Sequence, residues 1–115
     1  MLPPNHLPPA HDLNTWYAAY NANKAAILAE VVKTHNQELV KFLLAMHEHK
    51  HDQNTYDVFL KPNAKEELNI DHNLSQQFRA IAAQAHPDWS HAPWDQLTHI
   101  VLNQFNQNVV PHVKP

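Results

Sequence analysis

The sequence contains no glycine and no cysteine, and these two absences exclude several classes of site at once. Without glycine, the chain cannot build the Gly-rich phosphate loops of nucleotide-binding proteins or the turns that hold dinucleotides. Without cysteine, it has no disulfide scaffold, no thiolate zinc site and no cysteine nucleophile. Any function must therefore rest on other residue types.

Charged residues are also scarce, at 17% of the 115 residues, and Asn, Gln and His supply much of the polarity instead. The net charge is −3 with His neutral, and a single arginine stands beside seven lysines. Nucleic-acid-binding proteins normally carry a basic face, so this balance disfavours a nucleic-acid partner. The chain is histidine-rich, with 11 histidines, and their protonation can reverse the sign of its net charge between about pH 7 and pH 5.

Long apolar runs are missing as well, and this favours a cytoplasmic protein without membrane insertion. Runs such as residues 43–46 are far shorter than the roughly 20 residues of a membrane-spanning helix. The first nine residues lack the basic start and the apolar centre of a targeting segment. The 43% apolar share is nevertheless enough for one small core.

The spacing of the apolar residues predicts an all-α fold of five helical segments. Residues 1–11 hold four prolines and are predicted to form an extended lead-in. Residues 12–51 are predicted to form an N-terminal helical extension, broken near Thr34, which has the spacing of a capping box with Gln37. The first helix of this extension has an apolar stripe at Trp16, Tyr20, Ile27 and Val31, which Tyr17, Leu28 and Val32 widen. The second helix is expected to run from about His35 to His51, with a stripe at Leu39, Val40, Leu43, Leu44 and Met46. One continuous bent helix is the alternative.

Residues 54–110 are predicted to form a helical module with a short helix followed by two longer ones. Two stripes of apolar residues define the longer helices: Leu74, Phe78, Ile81 and Ala85 in the first, and Trp94, Leu97, Val101 and Phe105 in the second. Asn73 is the expected cap of the first, and Pro93 the expected first residue of the second. Because the link between them is short, we expect the two helices to be antiparallel neighbours.

The tripeptide His86-Pro87-Asp88 lies in that link and follows a helix that carries Arg79. The pattern resembles the second helix and loop of J domains, the DnaJ-type co-chaperones, and the resemblance covers about residues 54–110. In that family an aromatic-basic pair, an aliphatic residue and an alanine precede the tripeptide, as they do here. The short first helix is also similar, with its tyrosine followed by an acidic and two apolar residues.

The resemblance implies a function without catalysis or cofactor. A J-like protein engages the ATPase domain of a seventy-kilodalton heat-shock chaperone, and the implied contact residues are His86, Pro87, Asp88 and Arg79. Two departures weaken this implication: Arg79 is the only Lys or Arg of its helix, and Trp89 stands where a basic residue often follows the tripeptide. The alternative function is a helical interaction subunit of a larger assembly that keeps a J-like fold without chaperone stimulation. The alternative structure for the tripeptide is a capped helix end, in which its His and Asp bond to nearby backbone groups.

Two weaker patterns indicate enzymes. Residues 47–51 match the zincin pattern His-Glu-x-x-His, in which His47 and His51 would bind zinc and Glu48 would activate water. No third ligand stands at a recognisable spacing, so a zinc-dependent hydrolase is a distant alternative. Arg79 and His86 also fit the loose spacing of all-helical HEPN ribonucleases, although the polar residue that usually follows the arginine is absent.

Overall fold

The structure, a computed structural model, describes residues 9–113, which form six α-helices, two 3-10 turns and no strand. The α-helices are α1 (Leu13–Ala22), α2 (Lys24–Thr34), α3 (Gln37–His47), α4 (Gln53–Phe59), α5 (His72–Ala82) and α6 (Trp94–Asn108), and the 3-10 turns are Trp89–His91 and Val110–His112. The predicted all-α class is confirmed. Residues 1–8 of the predicted lead-in lie outside the described residues. Across the described range, no helix combines the length and apolar character that crossing a bilayer requires.

One apolar core runs through these residues, and α3 lies at its centre. Five of the 11 residues of α3 are buried. The helix packs against α1, α2, α4 and α6, and its contact with α6 is the most extensive in the fold. Phe42 is fully buried and meets Phe59 of α4 edge to face, with 5.5 Å between the ring centroids. Helix α3 therefore connects the N-terminal helices to the C-terminal half.

Helices α1 and α2 follow one another with only Asn23 between them. The stretch before Thr34 was predicted to be one helix, so the prediction of five helical segments is wrong by this additional break. Asp12 caps α1 by accepting a hydrogen bond from the backbone N–H of Thr15 at 2.7 Å. Asn23 ends α1, since its side-chain amide donates to the carbonyl of Ala19. The predicted stripe is buried at Trp16, Tyr20, Ile27 and Val31. Two residues that were predicted to widen this stripe, Leu28 and Val32, are exposed instead.

The predicted break near Thr34 is present, but the predicted capping box is wrong. The hydroxyl of Thr34 donates back to the carbonyl of Glu30, and α3 begins without a side-chain cap. The chain turns because His35 adopts a left-handed conformation with φ of 59°. The amide of Asn36 then donates to the carbonyl of Val31, which is the bonding pattern of a Schellman helix end.

Helix α3 ends four residues earlier than predicted, at His47 rather than His51. His49 takes the left-handed conformation, with φ of 58°. Its amide donates to the carbonyl of Met46, and the amide of Lys50 donates to the carbonyl of Ala45. This is a second Schellman end, in a chain that has no glycine for the position.

Helix α5 begins at His72, and its N-cap is Asp71 rather than the predicted Asn73. The carboxylate of Asp71 accepts from the backbone N–H of Leu74 at 2.8 Å. The helix ends at Ala82, and the predicted stripe residue Ala85 is exposed beyond its end. The apolar stripe is therefore shorter than expected, which limits how much surface α5 buries.

Helix α6 is the longest, and its predicted stripe of Trp94, Leu97, Val101 and Phe105 is buried. Its principal neighbour is α3, whereas the sequence led us to expect α5. Helix α5 contacts α6 at the first residue of α6, where the ring of Trp94 meets that of Phe78 with the centroids 5.0 Å apart. The difference arises because α3 offers a wide apolar surface and α5 only a narrow one.

The segment before α1 is bonded to α6. The amide of Ala10 donates to Oδ1 of Asn106 at 3.0 Å, and Nδ2 of Asn106 donates to the carbonyl of Ala10 at 2.7 Å. Nearby, the ring of Trp16 meets that of Phe105 edge to face, with 5.8 Å between centroids. This end of the molecule therefore joins the first and the last described α-helices.

Candidate functional site

The His86-Pro87-Asp88 loop is at the surface, with His86 and Asp88 exposed and Pro87 half-buried. Beneath it, Trp89 is buried and stacks on Tyr56 with ring centroids 5.1 Å apart. The indole N–H of Trp94 donates to the carbonyl of Trp89 at 2.8 Å, in a buried hydrogen bond. The buried contacts of Trp89 therefore hold the loop in place, and the side chains of His86 and Asp88 are exposed to solvent.

The carboxylate of Asp88 is held by its own loop. It accepts hydrogen bonds from the backbone N–H and the hydroxyl of Ser90, and it lies 3.2 Å from Nε2 of His91. These hydrogen bonds from Ser90, with the nearby His91, lower the pKa of the Asp88 carboxyl. Asp88 therefore caps the following 3-10 turn, whereas the helix-end alternative expected both the His and the Asp of the tripeptide to bond to backbone groups at the end of the helix. His86 forms no hydrogen bond with any other described residue.

Arg79, the fourth predicted contact residue, does not join the loop. Its side chain lines a groove between α5 and the preceding loop, together with residues such as Leu68 and Ser75, and none of the His86-Pro87-Asp88 residues lines that groove. The Nε atom of Arg79 is buried and has no hydrogen-bond partner among residues 9–113. The structure therefore separates Arg79 from the tripeptide to which the sequence pattern assigned it.

The predicted zinc ligands are engaged in other contacts. His47 stacks on Tyr17 with ring centroids 3.7 Å apart, and His51 stacks on Trp94 at 5.3 Å. Because α3 ends at His47, the pattern does not lie on one helix, and Glu48 is paired with Lys50 at 3.1 Å. Among the described residues, no group of three His, Asp or Glu side chains could hold a metal ion.

A groove of about 310 Å³ lies beside His51 and is lined also by His49, Asp95 and His99. Burial of its ring, and then the charge of His49, lower the pKa of His51, whereas Asp95 and Asp52 act in the opposite direction. A neutral imidazole is therefore favoured at this position in the folded protein.

One surface of α2 was not predicted as a site. Leu28 and Val32 are the exposed large apolar residues of the described chain, at 37% and 57% exposure, and they lie one helical turn apart. Two exposed alanines complete this surface, which we call the α2 face: Ala25, Leu28, Ala29 and Val32. The signal was present in the sequence, since the apolar stripe of α2 is wider than one packing surface can cover.

Lysines flank the α2 face. Lys24 lies before it and Lys33 beyond it, and both are exposed. Neither forms an ion pair with a described acidic residue. The surface therefore combines apolar area with two lysines that no described carboxylate neutralises, although Nζ of Lys24 also lies over the ring of Tyr20, 5.9 Å from its centroid.

Comparisons with protein-family models, curated proteins and solved structures find no match for this chain.

Proposed function

We propose that this protein is a non-catalytic interaction module that binds an acidic amphipathic helix of a partner protein on its α2 face. One observation carries the proposal: Val32 is more than half exposed and Leu28 more than a third exposed, while the other large apolar residues of the described chain are buried or half-buried. Such a surface does not serve the protein's own core, and contiguous exposed apolar area marks interaction sites. Amphipathic helices bind such surfaces through apolar residues one turn apart.

The flanking lysines determine the expected charge of the partner. A helix with acidic residues on both sides of its apolar stripe would pair with Lys24 and Lys33. A second copy of α2, packed antiparallel, would instead bring Lys24 to the level of the copy's Lys33. That arrangement adds like charges without opposite ones, so a heterologous acidic partner fits better than self-association. A cytoplasmic setting suits this function.

Fluorescence anisotropy tests the proposal with a labelled helical peptide that carries leucines on one face and glutamates on both flanks. We expect the folded protein to bind this peptide more weakly as salt is raised. Val32→Asp should weaken binding by about tenfold or more, because it replaces apolar contact by repulsion. The matched control is Ala80→Asp, which places the same charge on an exposed position of α5.

A peptide of the same composition, scrambled to remove the apolar face, should not bind. Equal binding by the two Asp variants, or by the scrambled peptide, would show that the α2 face is not the docking site. Both substitutions are at exposed positions, so circular dichroism should report an unchanged helix content.

A second candidate function is favoured by the exposure of His86 on an anchored loop. The similarity to J domains suggests its partner, the ATPase domain of a seventy-kilodalton heat-shock chaperone. Since Asp88 is bonded to Ser90 and Arg79 lies in a separate groove, His86 would be the main contact here. This candidate is a co-chaperone with a smaller contact set than the sequence pattern implies.

Single-turnover ATP hydrolysis by such a chaperone tests this candidate. Stimulation by the wild-type protein should be lost in His86→Gln. It should increase in Ser90→Ala, because that change removes a hydrogen bond and frees the Asp88 carboxylate for a partner. Absence of stimulation by the folded wild-type protein would remove the co-chaperone candidate and leave the α2 face as the proposed site.

A further inference from the structure

The groove that contains Arg79 has a volume of about 480 Å³ and shares no residue with the α2 face. Helix α5 contributes His72, Ser75 and Arg79 to it, and the spacing of three and four residues puts these side chains on one side of the helix. The preceding loop contributes apolar side chains, including Leu68 and Ile70. The volume lies within the range of sites that hold small molecules.

The guanidinium of Arg79 is the unusual feature of this groove. Its Nε is buried without a hydrogen-bond partner, although the side chain as a whole is only half-buried, and the described residues supply no ion pair for its charge. Buried polar groups in proteins are nearly always hydrogen-bonded, because a lost partner is costly. A half-buried guanidinium that lines a groove and has no ion pair there is available to an anionic ligand.

We propose that this groove binds a small organic monocarboxylate through the guanidinium of Arg79, with the Ser75 hydroxyl as a further donor. A carboxylate matches the fork of N–H groups that a guanidinium presents. Ile70, which is half-buried, provides apolar contact for the carbon chain of the ligand, whereas Leu68 is buried and forms the floor of the groove. Glu67 also lines the groove, and its negative charge disfavours a doubly charged phosphate more than a single carboxylate.

The single arginine makes the test direct, since its side-chain Nε–Hε group gives one signal in a 15N-correlation spectrum of the labelled protein. The probes are sodium pentanoate, sodium acetate and inorganic phosphate, at ionic strength matched with sodium chloride. We expect pentanoate to shift the Arg79 signal in a saturable way, with weaker binding of acetate and weakest binding of phosphate. The order reflects the apolar contact and the charge of Glu67.

Two variants refine the result. Arg79→Lys keeps the charge but loses the fork, and should weaken pentanoate binding about tenfold, measured from the backbone amide of Ser75. Glu67→Gln removes an exposed negative charge and should tighten binding several-fold while keeping the Arg79 signal. The second variant keeps the proposal testable if the first does not fold.

Three results would overturn the inference. The first is a linear shift of the Arg79 signal that sodium chloride reproduces. The second is tighter binding of phosphate than of pentanoate, which would contradict the class of ligand. The third is unchanged affinity in both variants, which would place the ligand elsewhere.

Discussion

Within residues 9–113 of this glycine-free chain, three residues adopt left-handed backbone conformations: His35, His49 and Asn63, with φ of 59°, 58° and 63°. An L-residue pays about 1–2 kcal/mol for this conformation, whereas glycine does not. His35 and His49 end α2 and α3, so two of the helix ends that shape the fold carry this cost. Periodicity does not reveal such ends, because their usual marker, glycine, is absent.

We predict that His35→Gly and His49→Gly each raise the free energy of unfolding by about 1 kcal/mol, because glycine relieves the backbone strain at a Schellman end. Urea denaturation at pH 7 provides the measurement. His35→Ala is the control and should give no gain, since alanine retains the Cβ atom. A loss of stability in His35→Gly would mean that the imidazole makes a contribution larger than the strain.

At His51 the prediction concerns pH. The folded-state pKa lies below the ordinary value of 6.5, so the unfolded chain binds more protons at this residue when the pH falls through that value. His51 therefore makes the protein less stable as the pH drops through 6.5, and the loss continues until the folded-state pKa is passed. In His51→Gln this acid-induced loss of unfolding free energy should be smaller than in wild type. His112→Gln, at an exposed position, serves as the control. Equal pH dependence of the unfolding free energy in the wild type and His51→Gln would contradict a contribution of His51.

At the scale of elements, periodicity predicted individual helices better than their pairing. The stripe of α6 was predictable, because one face of it packs and the opposite face is solvated. Helix α3 is different, since its neighbours cover more than one face. Phe42 lies outside the predicted stripe of Leu39, Val40, Leu43, Leu44 and Met46, yet it is fully buried against Phe59. A single periodic stripe does not identify a helix that occupies the centre of a core.

We expect Phe42→Ala to lower the free energy of unfolding by about 3–5 kcal/mol, because it leaves a cavity in the most enclosed helix. Leu44→Ala, at a half-buried position of the same helix, should cost clearly less. Denaturant titration of both variants gives the comparison. Equal losses of unfolding free energy in the two variants would show that Phe42 does not lie deeper in the core than Leu44.

For the candidate sites, the sequence predicted which loop is exposed but not which side chains lie together. Exposure of the His86-Pro87-Asp88 loop could be predicted, because a proline-containing link between helices lies at the surface. The position of Arg79 could not, since it depends on how the loop before α5 folds over that helix. The α2 face was visible only as excess apolar width at Leu28 and Val32.

For the molecule as a whole, one core spans the two segments that the sequence divided at about residue 52. Helix α6 of the predicted module rests mainly on α3 of the predicted extension. We therefore predict that residues 54–113 alone do not fold, because the apolar stripe of α6 would be left in water. Cooperative urea unfolding and dispersed amide signals in the isolated fragment would contradict this and make it an independent domain. Co-expression with residues 9–53 should restore both properties.

The paired hydrogen bonds between Ala10 and Asn106 join positions 96 residues apart in the chain. Closing so long a loop has a large entropic cost, and the two hydrogen bonds cannot offset it until α6 has formed and packed. We therefore expect these two hydrogen bonds to be among the last contacts to form and the first to open. Fraying would begin there, exposing the indole of Trp16 to solvent while the centre of the molecule stays intact.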